Sequence, residues 1–113
     1  MSNMKIFRTN HGEGKTKWLV DKAIEAYANG ATLIYVGCEQ SQERFEEAWM
    51  YVAKTVCPIK NIEFCTPRSN RKHYCMLTDD LLENLWSVYR WYNFIDGNGY
   101  EWYVTIDKEH FVN

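Results

Sequence analysis

The apolar positions change period several times along the chain, and each change marks an element. Over residues 15–29, Trp18, Leu19, Ala23, Ile24 and Tyr27 recur at helical spacing, and Gly30 follows where a helix would stop. Residues 31–36 then form an unbroken apolar run closed by Gly37. Such a run suits a strand covered on both faces, as in a parallel sheet. A second helix is predicted from Ser41, which has the side chain of an N-cap. Phe45, Ala48, Trp49, Val52, Ala53 and Val56 step along one of its faces until Cys57-Pro58 ends it. A short strand at 4–8 precedes the first helix, and another at 61–65 follows the second. Thr78 with Asp79 and Asp80 reads as the start of a third helix, because acids are stabilised at the positive end of the helix dipole. Its predicted apolar face is Leu81, Leu82, Leu85, Trp86, Tyr89 and Tyr92, with Trp91 off the stripe. The breaker Asp96-Gly97-Asn98-Gly99 leads to a last strand at 100–106, rich in β-branched and aromatic residues and reaching Asp107.

The order β-α-β-α-β-α-β predicts an α/β fold: a three-layer α/β/α arrangement on a mostly parallel sheet of about four strands, with right-handed crossovers. No repeat, low-complexity tract or linker interrupts it, so residues 1–113 are expected to form a single domain.

Composition narrows the partners. Hydrophobic and charged fractions of 46% and 25% match ordinary globular chains and argue against disorder. A formal net charge of -2 gives no general pull towards nucleic acid, and the candidate basic patch is the loop cluster Arg68, Arg71 and Lys72. No apolar stretch is long enough to span a bilayer and the first residues lack a signal-peptide run, so a cytoplasmic chain with reduced cysteines is expected. Cys57, Cys65, His73 and Cys75 are zinc-ligand types, but without a C-x2-C knuckle buried thiols are the simpler expectation. His11-x-Glu13 lacks the partner cysteines of a zinc deaminase, and His73 with Cys75 lacks a third group to orient a thiol nucleophile. Five Trp, eight Tyr and five Phe are a heavy aromatic load for a chain this size and suggest contact surfaces as well as core.

The chemistry is concentrated at Gly12-Glu13-Gly14-Lys15-Thr16, between a predicted strand and a predicted helix. Binding a triphosphate requires converging backbone N–H groups, the positive end of a helix, a lysine, and a hydroxyl for a metal ion. Gly14-Lys15-Thr16 resembles the end of the Walker A motif of P-loop nucleotide-binding proteins, with Thr9 standing where that pattern has its first glycine. The resemblance implies that Gly12, Glu13 and Gly14 offer backbone amides. It further implies that Lys15 holds the β- and γ-phosphates and that Thr16 ligands Mg²⁺. The strand ending in Asp107 is similar to a Walker B strand, which makes Asp107 the metal-coordinating carboxylate by resemblance. In helicase-like members a glutamate follows at once; here Lys108 stands at that place and Glu109 is the candidate water-polarising residue.

The implied function is Mg²⁺-nucleotide binding by a minimal domain resembling the first half of a helicase or terminase motor. ATP is favoured over GTP because no Asn-Lys-x-Asp motif is present. Hydrolysis is expected to be weak or partner-dependent, since no spacing selects Arg8, Arg44 or Arg68 as the arginine that stabilises the transition state. The alternative is a non-enzymatic interaction protein on a cut-down P-loop scaffold, such as a phage or mobile-element accessory factor that inhibits a host protein. A protein partner or a homo-oligomer joined through an open sheet edge fits either reading.

Overall fold

A computed structural model describes residues 4–10, 12, 14–67, 73–97 and 99–107. Eight elements follow one another: β1 (Met4–Thr9), α1 (Lys15–Ala28), β2 (Thr32–Tyr35), α2 (Glu39–Ala53), β3 (Lys60–Asn61), β4 (Tyr74–Thr78), α3 (Leu85–Gly97) and β5 (Glu101–Asp107). The five strands make one sheet in the order β1-β5-β4-β2-β3, and every pairing is parallel. No helix among the described residues is long and apolar enough to cross a membrane.

The layers follow from handedness. The chain moves across the sheet in one direction from β1 to β2 and on to β3, so right-handed crossovers place α1 and α2 on the same face. It returns from β4 to β5, so α3 lies on the opposite face. The core divides accordingly. Leu19, Val20, Ala23, Phe45 and Trp49 of α1 and α2 pack on Leu33, Tyr35, Cys75 and Leu77. Val88 of α3 packs on Ile34, Val36, Tyr74, Met76, Trp102 and Val104. Each fully buried Leu, Ile or Phe in these clusters contributes about 1.5–3 kcal/mol.

Several expectations are corrected. The second helix starts at Glu39 with Cys38 as its N-cap, so Ser41 lies inside it and is buried, and it ends at Ala53, so Val56 lies beyond it and is exposed. The sheet has five strands rather than about four, because residues 74–78, which lie outside the four expected strands and end at the expected helix cap Thr78, form β4. All five β4 residues are buried, so the strand shows no alternation to read. Thr78 therefore ends a central strand instead of capping a helix, and the helix begins only at Leu85. The strand expected at 61–65 is reduced to Lys60–Asn61, since residues 62–64 turn away at once. Finally, the predicted apolar face of α3 is turned outward at Leu85, Trp86 and Tyr89, with Trp86 74% and Tyr89 76% exposed, while Leu81 and Tyr92 of that face do meet the core, Val88 is buried and Trp91 packs partly against it.

Candidate functional site

The carboxyl ends of β1 and β5 lie level, with Thr9 paired to Asp107, and β4 ends three residues earlier, where Thr78 is paired to Val104 and Asp79 follows. Parallel sheets bind their ligands at this edge. A cavity of about 430 Å³ opens there, lined by Gly12, Gly14, Lys15, Thr16, Lys17, Arg44, Asp79, Asp80, Glu83 and Asp107.

The loop after β1 is shaped by two glycines. Gly12 (φ +79°) and Gly14 (φ +86°) adopt the left-handed conformation that L side chains rarely take, and Gly14 is the N-cap of α1. No side-chain hydrogen bond caps the helix, and its first residues, Lys15 and Thr16, line the cavity together with Gly14. Lys15 opens the helix and reaches back across the sheet edge. Its Nζ lies 3.0 Å from Asp107 Oδ1 and 3.6 Å from Asp80 Oδ2, with only 13% of its side chain exposed. Burial works against its charge, but the hydrogen bond to Asp107 and the fields of Asp80, Asp107 and Asp79 outweigh that, holding its pKa above the usual lysine value.

Asp79 is the best-anchored acid in the site. It follows the last residue of β4 and is buried. Thr16 donates its hydroxyl to Oδ2 at 2.7 Å and Thr105 donates to Oδ1 at 2.7 Å. The Asp79 N–H donates to the Tyr35 hydroxyl at 3.1 Å, and its carbonyl accepts from Ser41 at 3.2 Å and from Asn84 at 2.9 Å. Asn84 Nδ2 also donates to Ser41 at 3.0 Å, Tyr35 and Ser41 share a hydroxyl contact, and Asn84 Oδ1 accepts from the Cys38 N–H. The tyrosine is so deeply buried that its pKa is driven upward, keeping it a neutral hydrogen-bonding partner. Asp80 then takes φ +70°, a conformation tolerated by short polar side chains, and its carboxylate accepts from the Leu82 N–H.

The structure thus gathers four of the residues singled out in the sequence, Gly12, Gly14, Lys15 and Thr16, with Asp107. The carboxylate bonded to Thr16 is Asp79, whereas Asp107 faces Lys15. Glu13, Lys108 and Glu109 lie outside the described residues, as do His11 and the Arg68, Arg71 and Lys72 cluster. Of the three arginines considered, Arg44 lines the cavity, where it pairs with Glu83, and Arg8 does not. Asp79, Asp80 and the supporting set Tyr35, Ser41, Asn84 and Thr105 had not been singled out. The signal for Asp79 was present, an apolar run ending in an acid, but the reading of Thr78 as a cap hid it.

The candidate zinc ligands do not converge. Cys57 and Cys75 pack on the α1–α2 side of the sheet and Cys65 on the α3 side, while His73 pairs with Glu101 at 3.1 Å. Burial pushes the thiols of Cys57 and Cys75 up to about 12. Neither a scan against protein-family models nor a search of curated proteins returns a match for this chain.

Proposed function

We propose that this protein binds a magnesium nucleoside triphosphate, ATP in preference to GTP, in the cavity between the Gly12–Thr16 loop and the ends of β4 and β5. The observation that carries the reading is the convergence, in one cavity, of a lysine and a hydroxyl from the start of α1 with the carboxylates of two neighbouring strands. The residues suit both halves of such a ligand. Two left-handed glycines and the uncapped start of α1 offer N–H groups to phosphate, with Lys15 adding charge. Thr16, Asp79, Asp80 and Asp107 are hard oxygen donors of the kind Mg²⁺ prefers, and the carboxylates outnumber the nearby Lys15. A volume of about 430 Å³ is within the range of small-ligand sites.

The resemblance to P-loop proteins gains a second segment here. Tyr74–Thr78 followed by Asp79 and Asp80 has the Walker B form of an apolar strand ending in an acid, with a further acid immediately after. On this reading Thr16 and Asp79 hold the metal's coordination sphere. Asp80 stands where helicase-like members carry their glutamate, and Asp107 orients Lys15. The bound metal would neutralise phosphate charge; the chain's own residues position the phosphates and exclude competing geometry. Hydrolysis remains weak or partner-dependent in this proposal.

The direct test is thermal unfolding with and without Mg²⁺-ATP. A ligand that binds only the folded chain raises its midpoint. The wild-type midpoint should rise and that of Lys15→Ala should not; equal shifts in both, or none in either, reject the reading. A second reading, an interaction protein, is favoured by a separate observation: Met50, Tyr51 and Val52 at the end of α2, Val56 just after it, and Trp86 and Tyr89 on α3 are exposed large apolar side chains. Co-purification of a stoichiometric partner by Lys15→Ala as efficiently as by wild type would support it.

A further inference from the structure

Arg44 is a cation at the cavity's rim with a built support beneath it. It lies three residues after Ser41 on α2, hence on the same side of the helix. Ser41 is buried and tied to the Asp79 carbonyl, to Tyr35 and to Asn84. The side of α2 that carries Arg44 is therefore fixed against the end of β4. Glu83, its ion-pair partner, precedes Asn84 in the turn that leaves β4, and Asn84 bonds Ser41, Asp79 and Asp80. Both members of the pair are thus mounted on one buried network, which also holds Asp79 against Thr16.

The pair lies at the surface, where solvent competes for both charges. Arg44 and Glu83 have side-chain exposures of 55% and 39%, and exposed ion pairs contribute little. A phosphate offers the guanidinium two parallel hydrogen bonds and more charge than a single carboxylate. The cavity that both residues line already contains Lys15 and Thr16.

We infer that Arg44 distinguishes nucleoside triphosphates from diphosphates, exchanging Glu83 for the terminal phosphate when a triphosphate enters. The inference rests on the nucleotide-binding reading above and adds its specificity. Glu83 acts as a competitor that keeps Arg44 at the rim in the free protein. A diphosphate held by the loop and Lys15 leaves the Arg44–Glu83 pair in place; a triphosphate breaks it.

Calorimetric titration with Mg²⁺-ATP and Mg²⁺-ADP separates the two claims. Lys15→Ala should lose both nucleotides. Arg44→Ala should weaken ATP about tenfold, the effect of one charge-assisted contact, and leave ADP within about twofold. Arg44→Lys should recover part of that loss, and Glu83→Gln should tighten ATP alone. Arg44 and Glu83 are exposed, so unchanged melting of the variants establishes that they fold. If Arg44→Ala weakens ATP and ADP alike, or weakens neither, while Lys15→Ala abolishes binding, the inference fails and the nucleotide reading stands. If the wild type binds neither nucleotide, both fail together.

Discussion

Thr16 donates its side-chain hydroxyl to the Asp79 carboxylate at 2.7 Å, joining residues 63 apart in sequence. The contact ties the start of α1 to the end of β4, and the rest of the site is arranged around it. Asp79 is buried, and each of its carboxylate oxygens accepts from a hydroxyl, Oδ2 from Thr16 and Oδ1 from Thr105, which offsets part of the cost of burying it.

Replacing Asp79 by Asn keeps the shape and removes the charge. Asp79→Asn is expected to fold, with a melting point within a few degrees of wild type. It should lose at least tenfold in Mg²⁺-dependent ATP affinity, in keeping with loss of one charged ligand. Asp79→Ala should instead be destabilised by about 1–3 kcal/mol, because Thr16 and Thr105 lose their acceptor. Denaturant unfolding of the two variants separates charge from hydrogen bonding.

Gly37 occupies a tight place beside the same network. A Cβ there would stand 2.6 Å from Asn84 Oδ1 and 2.7 Å from a Tyr35 ring carbon, too close for either to remain. Gly37→Ala should cost about 1–3 kcal/mol, the usual cost of overpacking, and weaken ATP binding by displacing Asn84. A variant as stable as wild type would show that Asn84 and Tyr35 are free to move.

The outward face of α3 makes a prediction about stability. Trp86→Ala and Tyr89→Ala should fall within about 0.5 kcal/mol of wild type in urea unfolding, as exposed substitutions do. Trp102→Ala, in the centre of the α3-side core, should cost about 3–5 kcal/mol. A large loss in Trp86→Ala would mean that this face is covered.

These tryptophans show why part of the fold was legible and part was not. In α1 the stripe Leu19, Val20, Ala23 and Ala26 faces the core, and in α2 Phe45 and Trp49 do, so period 3.6 locates both helices even though Tyr27, Met50, Tyr51 and Val52 stay exposed. In α3, Leu85, Trp86, Val88, Tyr89, Trp91 and Tyr92 nearly encircle the axis, and only the position of the sheet selects Val88 and Trp91 as the inner side. β4 was hidden for the opposite reason: a strand buried on both faces has no period, and Tyr-Cys-Met-Leu-Thr carries little β-branched character. The Gly-Lys-Thr loop was readable because its chemistry is local. Asp79 closes an apolar run that the helix-cap reading of Thr78 obscures, and the role of Arg44 depends on which elements are neighbours, which no local pattern records.

The cysteines provide a chemical check on the α1–α2 side of the core. Cys57 and Cys75 are buried with pKa values pushed up to about 12, so their thiolates are scarce at pH 8, whereas Cys38 is exposed. A thiol reagent at pH 8 should modify Cys38 rapidly. Cys57 and Cys75 should react only after denaturation, as peptide mapping by mass spectrometry would show. Rapid labelling of Cys75 would contradict its place in the central strand.

The central claim is that the Gly12–Thr16 loop and the carboxylates facing it form one working site for a magnesium nucleotide. Calorimetric titration of the wild type with ATP, in the presence of Mg²⁺ and of a chelator, with Lys15→Ala and Asp79→Asn alongside, tests it most directly. The account predicts micromolar binding that requires Mg²⁺, disappears in Lys15→Ala and is weakened in Asp79→Asn. Absence of binding heat in the wild type, or binding indifferent to Mg²⁺ and to both substitutions, would contradict it.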